Sequence, residues 1–357
     1  MPNFYKELDI SALDAISEAQ KVINGPVLFQ AVFCLIEHKV LDVLSKSKDG
    51  LTISELCSKT DLNEYALGVL LDMACSGRIV TVSDDGAYKI TKIGLFLEKD
   101  EMTRINLSFI KHICYDAMGR LDESLKAGTA EGLKLFNESW ETVYPHLKDL
   151  PPLAKDAWFK WDHLYSQTSF KPALRVIGEK INPKLVYDVG GNTGKFAIEC
   201  CNELKDTRVK ILDLPSQIEM ANQNIKEHHL EDRIDFMAVD ILLDNKLPGE
   251  ADVWWLSQFL DCFAKEHVIH ILTSIRKVLK ENAKICILEP IADRQQFEAS
   301  AYSINAGSLY FTSVANGYSR FFSTNMLTDL IKESGLEVET IVDGLGISNS
   351  MFICKKA

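Results

Sequence analysis

Two different spacings of apolar residues divide the chain into an N-terminal and a C-terminal part. In the first hundred residues apolar positions recur three and four residues apart, as over Asn63–Ser76, which predicts a helix that ends at Gly77. From Lys184 onward, short apolar runs alternate with helical stretches. This alternation predicts a mostly parallel sheet covered by helices on both faces, and therefore an α/β fold. The predicted strands are Leu185–Val189, Val209–Leu212, Ile234–Val239, Val253–Leu256, Lys284–Leu288, Val338–Val342 and Met351–Cys354.

The N-terminal part, residues 1–102, carries the signals of a winged helix. Thr52 and Glu55 have the spacing of a capping box that begins a short helix ahead of the helix over Asn63–Ser76. Two apolar runs, Ile79–Val82 and Ala87–Ile90, flank an Asp-Gly turn and predict a hairpin. Winged helices can bind DNA, but the candidate recognition helix carries two acidic residues and no Lys or Arg, so it could not neutralise phosphates. We therefore expect this domain to serve packing or dimerisation.

The middle part, residues 103–183, is predicted to be a helical connector rich in aromatic residues. Pro151 and Pro152 interrupt it once, and Pro172 suits the first turn of a further helix. Aromatic side chains at helical spacing can form a core or the wall of a binding site for a flat molecule, and the sequence leaves both open. The candidate wall residues are Trp158, His163 and Tyr165, joined by Phe259 from the C-terminal part.

The net charge and the cysteine content limit which partners and which cellular compartment are expected for the protein. A formal net charge of −12 opposes binding to a phosphate backbone, so no nucleic-acid partner is expected. Nine cysteines without a Cys-x-x-Cys pair indicate reduced thiols in a cytoplasmic protein. Met1–Leu8 lacks the pattern of a secretory signal, and the apolar stretch Pro26–Ile36 is too short to span a bilayer. His267 and His270 lie one helical turn apart without a third ligand, so no metal site is expected.

The most informative motif is a glycine-rich turn between the first predicted strand and a helix. Asp188 lies just ahead of it, and Gly190, Gly191 and Gly194 let the backbone turn sharply and let a ligand come close. Asp213 ends the next predicted strand, where a doubly wound sheet places a carboxylate against ribose hydroxyls. The turn does not fit the G-x-G-x-x-G pattern of dinucleotide sites. An acid directly ahead of it suits a cationic ligand better than a pyrophosphate. Acids at or just after the predicted strand ends form a candidate active-site rim: Asp188, Asp213, Asp240, Asp261 and Glu289.

The acid and glycine turn resemble motif I of the S-adenosylmethionine-dependent methyltransferases, in which the turn packs against the amino-acid end of the cofactor. Nearly the whole chain resembles the small-molecule O-methyltransferase family, which includes the plant caffeic acid and flavonoid enzymes, acetylserotonin methyltransferase and bacterial polyketide-tailoring enzymes. The resemblance implies an N-terminal winged-helix dimerisation domain (1–102), a helical connector (103–183) and a Rossmann-like cofactor-binding domain (184–357). It further implies a homodimer of secondary metabolism that acts on a small aromatic acceptor and releases S-adenosylhomocysteine.

The resemblance also implies roles for individual residues. Asp213 would hold the ribose hydroxyls, and Asp240 would meet the adenine amino group. Adenine would rest on apolar side chains such as Leu214 and Ile241, and Ser257 would complete the cofactor site with Asp188 and the three glycines of the turn.

The chain departs from the family pattern at the general base. The family His position is Asp261 here, Glu289 matches one of two flanking acids, and no carboxylate occurs at the second, in Tyr318–Phe322. A phenol of pKa ~10 facing an ordinary Asp of pKa ~3.9 is mismatched by about six units, or about 8 kcal/mol. Burial against Phe259 and Phe263 could raise the pKa of Asp261. Otherwise the acceptor could be a more acidic hydroxyl, or a ring carbon ortho to a phenol. Asp261 could also be the N-cap of the following helix.

The sequence thus predicts an S-adenosylmethionine-dependent methyltransferase that modifies a hydroxyl, or an ortho ring carbon, of a small phenolic acceptor. Asp261 and Glu289 are the candidate catalytic residues. Two alternatives stay open: a cofactor-binding protein with chemistry other than methyl transfer, and a ligand-sensing winged-helix regulator.

Overall fold

A computed structural model describes residues 5–6, 9–243 and 246–357. The chain forms two compact units, one over Lys6–Lys111 and one over His112–Ala357, the latter also including Tyr5. The division lies nine residues after the end of the predicted N-terminal domain at residue 102, and the predicted separate connector domain stays a prediction.

The unit over Lys6–Lys111 is a helical domain with one hairpin. Its helices and strands are α1 (Ala12–Ile23), α2 (Gly25–Glu37), α3 (Val40–Ser45), α4 (Ile53–Cys57), α5 (Glu64–Ser76), β1 (Val80–Val82), β2 (Tyr88–Ile90), α6 (Lys92–Lys99) and α7 (Glu101–Phe109). The capping box at Thr52 forms, with reciprocal bonds to Glu55, and the hairpin pairs Val80 with Ile90 in antiparallel register. Its core is aliphatic, with Leu35, Leu41, Leu44, Leu56, Leu67 and Leu71 fully buried.

The unit over His112–Ala357 begins with short turns and one long helix. The helices are α8 (Leu121–Ala127) and α9 (Pro152–Lys180). Pro151 and Pro152 interrupt the helical region as expected, and α9 begins at Pro152. The expectation that Pro172 begins a further helix is wrong, because Pro172 lies inside α9, which continues to Lys180. A proline there costs about 3 kcal/mol. Burial of the apolar face around it, at Phe170, Ala173 and Leu174, offsets that cost.

The remainder of this unit is a seven-stranded sheet flanked by helices. Its elements are β3 (Leu185–Val189), α10 (Lys195–Glu203), β4 (Arg208–Asp213), α11 (Pro215–Glu227), β5 (Ile234–Ala238), β6 (Val253–Ser257), α12 (Lys265–Val278), β7 (Lys284–Pro290), α13 (Glu298–Tyr310), α14 (Thr324–Glu333), β8 (Leu336–Leu345) and β9 (Asn349–Lys356). The strand order is β5-β4-β3-β6-β7-β9-β8. The first five pair in parallel, and β9 runs antiparallel to both neighbours. The predicted strands are confirmed. Five of them are longer by one or more residues, and β5 ends at Ala238, one residue before the predicted end.

Aromatic side chains fill both faces of the central strands. Tyr187 packs edge-on against Trp254 on one face, and Phe196 stacks on Trp255 on the other at 4.3 Å between ring centroids. After β3 the chain continues to β4 on one side of the sheet, and after β6 it continues to β7 on the other side. The direction in which strands are added therefore reverses between the neighbouring strands β3 and β6. In open α/β sheets, ligands bind at the carboxyl ends of the strands at such a reversal.

Within the described ranges, no single helix is long and apolar enough to cross a membrane. The pair α1 and α2, bent by 60°, passes that test by length and composition alone.

Candidate functional site

The glycine-rich turn lies at the carboxyl end of β3, and its backbone requires glycine at two points. Gly190 and Gly194 have φ of 70° and 76°, in the left-handed region that other residues rarely adopt. A Cβ on Gly190 would lie 2.4 Å from the ring of Phe259, and one on Gly191 would lie 2.7 Å from Oδ2 of Asp188. The turn therefore packs directly against Phe259 and against the acid that precedes it.

A cavity opens beside this turn at the reversal point of the sheet. Of the predicted cofactor residues it brings together Asp188, Gly190, Gly191 and Ser257, and of the predicted wall residues it includes His163. The other lining residues are Asp162, Ser166, Phe170, Asn192, Thr193, Lys195, Phe196, Trp255 and Gln258. These residues come from α9, β3, the turn, α10 and the end of β6.

Five buried polar atoms of residues that line this cavity have no hydrogen-bond partner within the described part of the chain. They are Oδ2 of Asp188, Nε2 of His163, Oγ of Ser257, Nε2 of Gln258 and Nε1 of Trp255. Buried polar atoms are nearly always paired in native proteins, so such a group indicates the place of a bound molecule. The set offers both acceptors and donors, with the ammonium of Lys195 beside it. An amino-acid group, with one ammonium and one carboxylate, matches this set.

Asp188 is one of two carboxyl groups that line the cavity, and it lies directly ahead of the glycine turn. Its side chain is buried, and burial, followed by repulsion from Asp213, raises its pKa to about 8. A cation bound beside it would favour the ionised form and bring the pKa back down. The residues of this site therefore fit the positively charged amino-acid end of S-adenosylmethionine.

Asp213 ends β4 next to the turn and fixes its geometry. Its Oδ2 accepts the N–H of Asn192 at 2.8 Å, and its Oδ1 accepts the N–H of Leu214 at 2.7 Å. Asp240 follows β5, the next strand out, and accepts the N–H of Leu242 at 3.0 Å. Ile241 is buried and Leu214 is exposed. Together with Gly194 these residues lie outside the cavity lining, and their contacts with adenosine stay a prediction.

A second cluster, at the ends of β6 and β7, contains the two candidate catalytic acids. Glu289 is fully buried, and its Oε1 accepts the N–H groups of Phe259 at 3.3 Å and of Leu260 at 3.0 Å. Asp261 is buried in the 3₁₀ turn Leu260–Cys262. The N-cap of α12 is Ala264, so the hypothesis that Asp261 caps this helix is wrong. The chain makes an extra turn between β6 and α12, which carries Asp261 into the interior.

Burial gives Asp261 the basicity that an ordinary aspartate lacks. It raises the pKa of Asp261 to about 7, and it raises the pKa of Glu289 well above its usual range, with the charge of Asp261 adding to the effect. The gap to a phenol falls from about six pKa units to about three, or about 4 kcal/mol. Burial of Asp261, the first of the explanations for how it could overcome the pKa mismatch with a phenol, is therefore present in the structure.

The predicted aromatic wall is mostly packed into the protein interior. Trp158 is buried and donates its Nε1–H to the hydroxyl of Tyr310 at 2.8 Å, and Tyr165 is buried as well. Neither lines the cavity, whereas His163 does, with its pKa lowered to about 4 by burial, so its ring is neutral. Phe259 contacts Gly190 and packs against Phe263 at 4.9 Å between centroids. Contact of these four residues with an acceptor stays a prediction.

Asp162, Lys195 and Gln258 are among the cavity residues that the sequence analysis missed. Asp162 lies on α9 and Lys195 opens α10, and each charge affects the pKa of the other. Gln258 has a φ of 46°, an uncommon value for a residue with a side chain. In the sequence, Asp162 could have been noticed only as an acidic residue within an aromatic stretch. Lys195 could have been noticed because it directly follows the last glycine of the turn.

Comparison with known proteins agrees with this geometry. A profile of the O-methyltransferase domain matches residues 173–337, which include the turn, Asp213, Asp261 and Glu289. Residues 173–337 therefore form an O-methyltransferase domain. In this methyltransferase, a Dimerisation2-like domain also matches residues 17–87.

Individual relatives of the methyltransferase are distant but cover most of its length. The 3-amino-4-hydroxybenzoate 4-O-methyltransferase of Streptomyces cremeus is 23% identical over 317 residues, covering 87% of this chain and 82% of the relative. The L-tyrosine C(3)-methyltransferase of Streptomyces lavendulae is 22% identical over 322 residues, covering 89% and 86%. The solved structure of the S-adenosylmethionine-dependent methyltransferase SibL superposes with a TM-score of 0.75 at 21% identity, covering 96% and 99%. At this identity the structural likeness shows the fold.

Proposed function

We propose that this methyltransferase transfers the methyl group of S-adenosylmethionine to a hydroxyl, or to an ortho ring carbon, of a small phenolic acceptor. The observation that carries the proposal is the set of unpartnered buried atoms around the glycine turn, because it matches an amino-acid group attached to a nucleoside. One relative is named as an O-methyltransferase of an aminohydroxybenzoate and another as a C-methyltransferase of tyrosine, so both kinds of acceptor atom remain candidates.

In this proposal the cavity residues bind and orient the cofactor, which supplies a methyl group activated by a positively charged sulfur. Asp188 and Ser257 would accept hydrogen bonds from its ammonium group. Lys195 and Gln258 would donate to its carboxylate, and Asp213 would accept from its ribose hydroxyls. Fixing the methyl donor in one orientation removes much of the entropic barrier to an in-line displacement.

The candidate catalytic acids handle the acceptor hydroxyl. Asp261, with its pKa raised to about 7, would accept the hydroxyl proton when the acceptor oxygen is methylated. If the ortho carbon is methylated instead, the ring proton on that carbon would also have to leave, to solvent, to restore the aromatic ring. Glu289 holds the loop of Asp261 in place through the N–H groups of Phe259 and Leu260. The rings of Phe259 and Phe263 exclude water from the carboxyl group of Asp261.

The test is transfer of an isotopically labelled methyl group. The full chain is incubated with methyl-labelled S-adenosylmethionine and a panel of phenols and aryl acids, and the products are analysed by mass spectrometry. Labelled acceptor should appear together with S-adenosylhomocysteine, and its fragmentation distinguishes O-methyl from C-methyl products. Asp122→Asn, which removes a charge from an exposed side chain far along the sequence from the site, is the matched control and should retain full transfer. Cofactor binding without labelled product from any acceptor would instead support chemistry other than methyl transfer.

We further propose a cytoplasmic homodimer of secondary metabolism with no nucleic-acid or membrane partner. Support for the dimer comes from the Dimerisation2-like domain and from α1, which has no buried residue while Leu13, Ile16, Val22 and Ile23 are all exposed. An exposed apolar helix face of this kind is typical of a protein–protein interface. The nine cysteines are free thiols, as expected in a reducing compartment. On α5 the absence of basic residues opposes DNA binding.

A further inference from the structure

Asp162 contributes a second carboxyl group to the cofactor cavity, beside that of Asp188. It lies on α9 and is half-buried. Among the described residues, none donates a hydrogen bond to its carboxylate or forms an ion pair with it at contact distance, and the ammonium of Lys195 attracts it only from further away. The proposed contacts of the amino-acid group do not use Asp162. A carboxylate that faces a cavity without a partner of its own is suited to a cationic part of the ligand.

The spacing of residues on α9 places Asp162 at one end of the cavity wall. Asp162, Ser166 and Phe170 follow one another at intervals of four residues and all line the cavity, so they share one face of the helix. Phe170 forms the apolar base of this wall, with its ring 5.5 Å from that of Phe196 between centroids. A rise of about 1.5 Å per residue separates Asp162 from Phe170 by about 12 Å along the helix axis. Asp162 therefore lies at the end of the wall that is remote from the apolar base.

This end of α9 extends beyond the carboxyl ends of the strands. Asn349 pairs with Pro290, the last residue of β7, and its Nδ2 donates to the carbonyl oxygen of Tyr165 at 3.0 Å. The helix is thus level with the end of β7 at Tyr165, and Asp162 lies almost one turn further out. Repulsion from Asp162 also adds to the effect of burial in raising the pKa of Asp261. Asp162 consequently lies on the side of the cavity that faces the candidate catalytic acids.

The charges of the cavity complement the charge of S-adenosylmethionine. Asp162 and Asp188 supply two negative charges, Lys195 supplies one positive charge, and the ring of His163 is neutral. S-adenosylmethionine carries one net positive charge, on its sulfonium, because its ammonium and carboxylate groups balance one another. S-adenosylhomocysteine has the same ammonium and carboxylate groups and an uncharged sulfur. A cavity with an excess of one negative charge therefore favours the methyl donor over the product.

We propose that the carboxylate of Asp162 is the counter-charge of the sulfonium and gives the site a preference for S-adenosylmethionine over S-adenosylhomocysteine. This rests on the proposed function, in which Asp188 holds the ammonium group and the methyl group faces Asp261. The sulfur atom joins the amino-acid group to the methyl group, so it must lie between these two acids, as Asp162 does. A unit charge about 10 Å away, at an effective dielectric constant of about 20, changes an affinity by about 10-fold to 20-fold.

The experiment compares the affinities of the full chain for the two nucleosides. Calorimetric titration at pH 8, where a carboxyl group with a pKa of about 6 is ionised, gives the ratio of the two dissociation constants. Asp162→Asn should weaken S-adenosylmethionine about 10-fold to 20-fold relative to S-adenosylhomocysteine. Asp162→Ala should shift the ratio by a similar factor, because the charge and not the shape of the side chain carries the preference.

Two further variants control for a general loss of charge. Asp156→Asn removes an exposed carboxylate of the same helix, which pairs with Lys160 at 2.7 Å, and should leave both affinities unchanged. Asp188→Asn removes a carboxylate from the cavity itself. It should weaken both nucleosides by similar factors, because both carry the ammonium group.

The proposal is overturned if both variants of Asp162 weaken or lose the two nucleosides alike, since Asp162 would then face the ammonium group that they share. It is also overturned if either variant keeps the wild-type ratio. Failure of wild type to bind either nucleoside would overturn the proposed function itself. Binding of both by wild type, with the same ratio in the Asp162 variants, overturns this inference alone.

Discussion

Gly190→Ala tests whether the glycine turn depends on its close contact with Phe259. Alanine at a φ of 70° costs about 1–2 kcal/mol, because its Cβ approaches the following carbonyl oxygen. The new Cβ would also lie 2.4 Å from the Phe259 ring, and forced overpacking costs about 1–3 kcal/mol. We therefore expect Gly190→Ala to lower the free energy of unfolding by about 2–5 kcal/mol.

Gly128→Ala is the matched control for the backbone term. Gly128 also has a φ of 70°, and nothing lies within 4 Å of a Cβ built on it. It should therefore lose about 1–2 kcal/mol in urea denaturation and bind S-adenosylhomocysteine as wild type does. Gly190→Ala should bind it more weakly, because displacement of Phe259 or of the turn disturbs the cavity. In a Phe259→Ala background, Gly190→Ala should cost no more than Gly128→Ala. Equal losses for Gly190→Ala and Gly128→Ala in the wild-type background would refute the role of this contact.

Four further predictions concern single side chains. Asp213→Ala should weaken S-adenosylhomocysteine binding by about 1.5–3 kcal/mol in calorimetry, because it removes charge-assisted bonds to ribose; unchanged affinity would place the ribose elsewhere. Relative to wild type, Asp188→Asn should stabilise the ligand-free protein more and more as pH rises from about 4 to about 8. The reason is that the pKa of Asp188 is raised in the folded protein, so its ionisation in this pH range lowers the free energy of unfolding of wild type. A difference in urea midpoint between the two proteins that is the same at pH 4 and pH 8 would contradict this. Asp261→Asn should lower turnover by about 10²–10⁴-fold with little change in cofactor affinity, and turnover at the wild-type rate would exclude Asp261 as the base. Leu13→Glu should convert a dimer to a monomer in light scattering while the exposed neighbour Asp14→Asn should not; a wild-type monomer would remove the dimer proposal.

Much of the fold could be predicted because each element carries its own local signal. The apolar runs that became β3 to β7 are bounded by turn residues and acids, and a parallel strand buried on both faces needs a continuous apolar run. The capping box at Thr52 and the Asp-Gly hairpin depend on backbone bonds between residues a few positions apart. Such short-range signals are present in the sequence itself.

The errors occurred where long-range packing decides the local structure. Pro172 lies within α9 because the burial of its neighbours outweighs the loss of one backbone hydrogen bond. The local sequence pattern does not predict that packing. Aspartate is a common N-cap residue, and Asp261 lies shortly before α12. The helix nevertheless begins at Lys265, and its N-cap is Ala264.

The same reason explains the site residues that were missed. Asp162 and Lys195 lie 33 positions apart and meet because α9 and α10 pack against one another beside the turn. Neither residue belongs to a motif. Asp188 and the glycines, by contrast, share one short stretch of chain and could be recognised together.

The most direct measurement of the central claim is a calorimetric titration of the full chain with S-adenosylhomocysteine and, separately, with NAD. If the cavity beside Asp188 holds a nucleoside with an amino-acid tail, S-adenosylhomocysteine should bind once per chain, and Asp188→Asn should weaken it, because this variant removes the charge that faces the ammonium group. NAD should give no binding heat above dilution, since the acid ahead of the turn repels its pyrophosphate. Binding of NAD without binding of S-adenosylhomocysteine would contradict the account.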